Sequence, residues 1–292
     1  MITINNLIKK FNDTIALNGI DLNIEAGKIY GVIGPDGAGK TTLLRIIAGL
    51  LKPTTGNINV LGFKLPEQSE ELKEQIGYMP QKFSLYTDLT VYENLKFFAD
   101  IYGIEKSILE ERIKPLLHMS RLSAFSSRLA GDLSGGMKQK LALTCTLIHR
   151  PKLLILDEPT TGVDPVSRRE LWEILQSIVA EGVSIILTTA YMDEAEWCGD
   201  VIMLYKGKIV RKGSPDLLKQ ELKEKVCEAK IDDLNEEKID ILRNSAIIKI
   251  IRDRYRIIIN QNFNFEQIKS KIDINFIKAE PTIEDVFINA IN

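Results

Sequence analysis

The chain of 292 residues is poor in the residue types that build cross-links and metal centres, with three cysteines, two histidines and two tryptophans. Cys145, Cys198 and Cys227 are odd in number and form no CxxC pair, which excludes a disulfide framework or a zinc ribbon and predicts buried thiols in a reducing compartment. His118 and His149 are too few and too far apart in sequence for a histidine-based metal site. Long apolar runs are missing as well. A membrane-spanning helix needs about 20 consecutive apolar residues, whereas the apolar stretches here are short, as at 46–51. The opening residues MITINNLIKKFN lack the apolar core and small-residue cleavage site of a secretory signal, so a cytoplasmic location is expected. Excess charge of one sign is absent too: 38 Lys and Arg against 40 Asp and Glu leave a net charge of -2. That balance speaks against nucleic acid as a partner.

What is present is ordinary globular composition, 45% hydrophobic and 27% charged, at a length that predicts one large domain and a small one. From residue 1 to about 215, short β-rich apolar runs alternate with helical patterns, the habit of an α/β domain with a largely parallel sheet. Residues 29–33 and 153–156 are nearly all apolar. Strands covered on both faces read that way, so both are predicted to be central. Between them, at about 85–149, strand signals give way to helix-spaced apolar residues such as Val91, Leu95, Phe98 and Tyr102, which predicts a helical insertion. Beyond Gly213 and Pro215 the composition shifts: 217–225 reads as a charged helix, and residues 216–292 as a small α+β domain rich in Ile, Lys and Asn. Its pattern suggests strand 226–231, helix 234–243, strands 246–251 and 255–260, helix 264–271 and strand 273–279, an order compatible with a split βαβ sandwich.

Gly34-Pro35-Asp36-Gly37-Ala38-Gly39-Lys40-Thr41-Thr42 matches GxxxxGK[ST] between an apolar strand and a helical pattern. Glycines let successive backbone N–H groups converge on phosphate oxygens, and the helix start adds its positive dipole end. Lys40 would reach the β- and γ-phosphates of a nucleotide and Thr41 would ligate Mg²⁺. Asp36 is out of character, because a carboxylate aimed at phosphate would cost about 1–3 kcal/mol at an effective dielectric near 20. It is expected to face solvent or a partner. The run 153–158 ends in Asp157 and Glu158, two carboxylates at the carboxyl end of a buried strand, where open α/β sheets place ligands. Asp157 would hold the Mg²⁺, and Glu158 would orient or deprotonate an attacking water.

Many P-loop proteins share these features. The discriminating segment is Leu133-Ser134-Gly135-Gly136-Met137-Lys138-Gln139, which resembles the LSGGQ signature of the ATP-binding cassette (ABC) ATPases, with Met137 where Gln is usual. The resemblance covers about 1–215 and implies a P-loop NTPase core carrying the helical insertion. It implies that Ser134, Gly135 and Gly136 cap the γ-phosphate of ATP held by an opposing subunit, and that Asp164, in Gly162-Val163-Asp164, crosses the same interface. By the same resemblance Phe11 stacks on adenine, although it also reads as packing at a strand edge, and Gln81 reaches Mg²⁺ and the attacking water. The ending Pro281-Thr282-Ile283-Glu284-Asp285-Val286-Phe287 is similar to the tail of ATPases from ABC-2 type exporters, and reads equally as a capped amphipathic helix.

One landmark departs from the pattern. The family's switch histidine would stand at Ala190, in Leu187-Thr188-Thr189-Ala190-Tyr191. Losing one such transition-state contact commonly costs on the order of 10²–10³ in rate. The combination is most similar to the first ATPase half of tandem-ATPase multidrug exporter subunits. It implies an ATPase that uses ATP and Mg²⁺, peripheral on the cytoplasmic face of the membrane, working as a hetero- or homodimer with a second ABC ATPase subunit and with separate ABC-2 type membrane subunits. Phe83, Leu85, Tyr86, Phe97 and Phe98 would offer those subunits an apolar groove, or else form the insertion's own core. Two other readings stand beside this one. They are a nucleotide-binding regulatory subunit with little turnover, and a soluble ABC ATPase acting on ribosomes or DNA, for which the second cassette or special insertion is lacking.

Overall fold

The computed structural model describes residues 1–82, 85–260, 263, 266, 268, 272 and 274–292. A central sheet of six strands organises the first part of the chain. In chain order its members are β3 (Ile29–Ile33), β6 (Ile76–Met79), β7 (Leu153–Asp157), β8 (Ser184–Thr189), β9 (Asp200–Tyr205) and β10 (Lys208–Gly213), in the spatial order β10-β9-β3-β8-β7-β6. All are parallel to their neighbours except β10, which turns back on β9. The two apolar runs are interior strands, and every residue of β3 and β7 is buried. Alternate residues feed opposite cores: Ile29, Ile33, Leu154 and Leu156 face one side, and Tyr30, Val32, Leu153 and Ile155 the other. Burying each such Leu or Ile is worth about 1.5–3 kcal/mol, which is why these strands carry no polar alternation.

The first core is closed by α5 (Gly135–Leu147) and α6 (Pro165–Ala180). The second lies under a separate sheet, antiparallel throughout, which was not expected beside the largely parallel one. It is formed by β1 (Ile2–Phe11), β2 (Thr14–Ile24), β4 (Thr55–Val60) and β5 (Phe63–Leu65), ordered β2-β1-β4-β5. The physical reason is one-sided burial. Ile2, Ile4 and Leu7 point inward with exposed residues between them, a pattern that antiparallel sheets accept and parallel ones do not. Helix α1 (Lys40–Ile47) is held between the two sheets by Leu43, Leu44, Ile46 and Ile47, and the short α2 (Ser69–Lys73) adds Leu72 to the same core.

Helices α3 (Val91–Ile101) and α4 (Lys106–Met119) build the insertion around Val91, Leu95, Ile113 and Leu141, with Met137 packed against the same cluster. Phe98 also packs there, while Tyr102 is 40% exposed and stacks on His149 at 3.8 Å between centroids. Tyr86 is exposed and touches Phe97 at 4.4 Å; Leu85 is half-buried, and Phe83 lies outside the described residues. The three cysteines are free and buried.

Ser214 caps α7 (Pro215–Gln220), so this helix begins two residues earlier than expected and ends five residues sooner, before Glu224 adopts φ of 71°. Next come β11 (Val226–Lys230), α8 (Glu236–Arg243), β12 (Ala246–Ile251), β13 (Arg254–Ile259) and β14 (Ile277–Lys278), in an antiparallel sheet ordered β12-β13-β11-β14. That is the interleaved strand order of a split βαβ unit. The helix expected at 264–271 lies outside the described residues apart from Glu266 and Ile268. The last helix, α9 (Ile283–Ile291), starts in a capping box between Thr282 and Asp285. It sends Ile283, Val286 and Phe287 into the first core, where they meet residues of the central sheet together with Val226 of β11 and Ile258 of β13. No helix among the described residues is long and apolar enough to cross a membrane.

Candidate nucleotide site

The loop 34–39 leaves the carboxyl end of β3 and enters α1 through Gly39, whose φ of 105° is open to glycine and strained for other residues. A Cβ there would meet the Ala16 carbonyl oxygen at 2.6 Å. Glycine therefore lets the loop lie against β2 and keeps the first amides of α1 free to point at an anion. Ala38 is buried and Gly37 exposed. Lys40 is 5% exposed and its Nζ donates to the Gly34 and Pro35 carbonyls at 2.8 and 3.2 Å, so the ammonium is parked across the mouth of the loop. Asp36 is exposed, as its chemistry required, and Thr42 half-buried.

Three adjacent parallel strands bring the remaining groups together. Thr41 Oγ1, at the start of α1, donates to Asp157 Oδ1 at 3.0 Å. Thr188 Oγ1, opposite Asp157 in the β7–β8 register, donates to the same oxygen at 2.7 Å and accepts the Glu158 N–H at 2.8 Å. Glu158 has φ of 52°, a left-handed conformation that costs a non-glycine residue about 1 kcal/mol or more and persists only where the surroundings impose it. Its Oε2 accepts Gln81 Nε2 at 2.8 Å and Thr161 Oγ1 at 3.0 Å. Gln81 comes from the end of β6, so the carboxylate is tied to the segment that leads into the helical insertion. Thr188 and Thr161 had no motif to announce them. The available signal was the pair Thr188-Thr189 at the end of an otherwise apolar strand.

Asp157 Oδ2 is buried and has no hydrogen-bond partner. Such an oxygen is costly unless a cation or donor satisfies it. With the Thr41 hydroxyl beside it, the donor set is all oxygen, the kind that suits Mg²⁺.

A second cluster lies at the starts of α5 and α6. Ser134 caps α5, its Oγ accepting the Met137 N–H at 3.3 Å, and Gly135 and Gly136 form the first turn. A Cβ on Gly136 would stand 2.4 Å from Ser167 Cβ, so glycine is what lets the two helix starts touch. Asp164 caps α6 by accepting the Val166 and Ser167 N–H groups at 3.1 and 3.0 Å, and those bonds hold its carboxyl below the usual range. Phe11 ends β1 with its ring 46% exposed and the Lys9 ammonium 4.7 Å from its centroid.

The segment after β8 carries no imidazole. Ala190 is exposed, and Tyr191 turns aside so that its ring lies under the Arg168 guanidinium at 4.7 Å. Glu194 is fully buried beneath this loop, accepting Thr160 Oγ1 at 3.0 Å and Thr189 Oγ1 at 2.5 Å. Burial pushes its carboxyl upward, against the hydroxyl donors, the nearby Trp172 indole and Arg168.

The sequence profile of the ABC transporter family matches residues 17–161. A probable multidrug ABC transporter ATP-binding protein, YbhF of Escherichia coli K12, is 49% identical over 222 residues, 75% of this chain and 38% of the relative. This chain thus spans about two fifths of that relative's length. A Nod factor export ATP-binding protein I of Cupriavidus pinatubonensis is 38% identical over 239 residues, 81% of this chain and 72% of the relative. Among solved structures, an ATP-binding subunit of an ABC transporter superposes with a TM-score of 0.68 at 32% identity, over 76% of this chain and 92% of the other. A dimeric post-hydrolysis cassette bound to ADP and Pi, MJ0796, superposes at 0.66 and 26% identity, over 73% of this chain and 98% of the other. With the phosphate loop, the paired carboxylates and the capped signature helix in one molecule, the chain belongs to the ATP-binding proteins of the ABC transporter family.

Proposed function

We propose that this chain is the ATP-hydrolysing subunit of an ABC-2 type exporter, peripheral on the cytoplasmic face of the cell membrane and coupled to separate membrane subunits. Its ATPase domain would comprise about 1–215 and its small carboxyl-terminal domain 216–292. The observation that carries the reading is the continuous hydrogen-bonded path from Thr41 through Asp157 and Thr188 to Glu158 and Gln81, which joins a phosphate-binding helix to a carboxylate able to take a proton. The export role carried by the name of the Nod factor relative supports the direction of transport.

ATP phosphates entering the loop take over Lys40 from the Gly34 and Pro35 carbonyls, and the amides of residues 37–42 converge on the oxygens. Adenine stacks on the free face of Phe11. Thr41 and Asp157, with Gln81 at the edge, would hold Mg²⁺, which would supply charge neutralisation on the phosphate oxygens. Glu158 accepts the proton of the attacking water as its oxygen bonds to the γ-phosphorus and the bond to the β–γ bridging oxygen breaks. Gln81 keeps that carboxylate turned toward the water. Ser134, Gly135, Gly136 and Asp164 face the ATP of a second ABC ATPase subunit in a head-to-tail pair, and the dimeric state of the cassette bound to ADP and Pi supports pairing.

Ala190 supports a second, narrower reading in which this chain's own pocket turns over slowly while its signature completes a faster one on a histidine-bearing partner. Affinity capture from native membranes in mild detergent, with ATPase assay of the captured complex, tests both. Membrane subunits together with Mg-dependent hydrolysis are expected, and a second ATPase in the complex supports the asymmetric pair. Recovery with ribosomes, DNA or nothing overturns the transporter reading.

A further inference from the structure

Parallel strands β7 and β8 run in register up to the pair Asp157 and Thr188 and then separate. One continues into Glu158, Pro159 and Thr160, the other into Thr189, Ala190 and Tyr191. Glu194, the first residue of a single 3-10 turn at Glu194–Trp197, returns into the wedge between them. Its Oε2 accepts a hydroxyl from each side, Thr160 at 3.0 Å and Thr189 at 2.5 Å. Thr189 Oγ1 also accepts the Tyr191 N–H at 3.0 Å, so one hydroxyl fixes the entry to the loop that holds Ala190. The other carboxylate oxygen, Oε1, is buried without a hydrogen-bond partner and lies 3.7 Å from Arg168 Nε. Arg168 in turn reaches Asp193 at 3.2 Å and covers the Tyr191 ring.

A fully buried carboxylate is expensive, and none of the phosphate, adenine or metal contacts uses this one. What it does is join the backbone two residues after Glu158 to the backbone one residue before Ala190. In a chain whose switch segment has no imidazole to tie the two loops together from the nucleotide side, this tie from beneath sets their spacing. We propose that Glu194 is a positioning residue for Glu158, holding the loops 158–161 and 189–193 at the separation from which Glu158 meets the attacking water. The inference rests on the reading of Glu158 as the proton acceptor.

The test uses the full chain with its captured partners and three variants, Glu194→Gln, Thr189→Val and the double variant. Glu194→Gln keeps the volume and removes the charge, and Thr189→Val breaks the tie from its other end. A misplacement of about 1 Å at a reacting group is enough for rate losses up to about a hundredfold. For each single variant kcat is expected to fall about tenfold or more while KM for MgATP stays within about twofold, and the double variant is expected to fall little further, the mark of residues acting as a unit. Amide hydrogen exchange is expected to rise across 158–164 and 189–193 while 153–156 keeps its protection. Unchanged kcat in both single variants, a loss confined to KM, or unchanged exchange in both loops would overturn the proposal. If the unmodified complex fails to hydrolyse MgATP, the functional reading fails instead, and the exchange comparison still decides whether Glu194 holds the loops.

Discussion

Glu194 and Glu196 stand two residues apart on one 3-10 turn and grip different parts of the molecule. Glu194 holds the loops at the ends of β7 and β8, whereas Glu196 pairs with Lys219 of α7 and accepts the Ile283 N–H, at the start of α9, at 3.4 Å. The segment that follows Ala190 is therefore in direct contact with the terminal helix.

Phe287 is 6% exposed and packs with Tyr205 of β9 inside the core of the central sheet. Phe287→Ala is expected to cost about 3–5 kcal/mol. Because the lost contacts lie in a core shared by the central sheet and the carboxyl-terminal part, the main unfolding transition, and not only that of the carboxyl-terminal sheet, should move down in calorimetry.

Removal of Lys40 and of Glu158 should separate binding from turnover. Lys40→Ala is expected to lower MgATP affinity at least tenfold, read by titration with a fluorescent ATP analogue. Glu158→Gln keeps every phosphate contact and removes the proton acceptor, so binding should persist while hydrolysis falls by 10²-fold or more, as for loss of a positioned general base.

On the proposed reading of the site, Ala190→His would place an imidazole beside the γ-phosphate. At saturating MgATP the variant's hydrolysis rate is expected to rise at least tenfold, within the range a single transition-state contact supplies. An unchanged rate would mean that this pocket is not limited by the missing histidine.

Acid should loosen the carboxyl-terminal sheet through Asp285. Arg256 bonds both its oxygens through Nε, with Nη2 at 2.6 Å, and Thr282 adds two more donors. Burial pushes this carboxyl up, but the Arg256 and Thr282 bonds outweigh it and hold it below the usual range. A depressed folded-state value stabilises above the unfolded pKa of about 3.9, and that stabilisation disappears as pH falls through the folded value. Stability carried by this pair should be level above about pH 5 and decline below about pH 4, and Asp285→Asn should abolish that slope in a pH series of urea unfolding curves. Arg256→Met leaves the carboxylate buried without its partner and is expected to cost about 3–5 kcal/mol.

The central strands and the phosphate loop were legible because their chemistry is local. Residues 29–33 are apolar on both faces whatever surrounds them, and a glycine-rich turn before a helix needs only its own amides. The antiparallel sheet of β1, β2, β4 and β5 was harder to read, since the polar residues within TIALNGIDLNI mask a strand of 11 residues buried on one side. Glu194 was illegible for a stronger reason. In Met192-Asp193-Glu194-Ala195-Glu196 it looks like any solvated acid, and only the return of the 3-10 turn beneath β8 buries it while its neighbour Asp193 stays exposed. The direction of Tyr191 depended likewise on Arg168, 23 residues earlier on α6.

The placement of α9 also orders events during synthesis. The strands of the central sheet and of the carboxyl-terminal sheet all precede residues 283–291 in the chain, yet Ile283, Val286 and Phe287 complete a core shared by Leu154 and Met203 of the central sheet and Leu218, Val226 and Ile258 of the carboxyl-terminal part. A growing chain thus carries an open apolar slot in that core until α9 has emerged. Closing the slot is a contact of long sequence separation, the slow kind, so a filled slot reports that the chain has been made as far as α9.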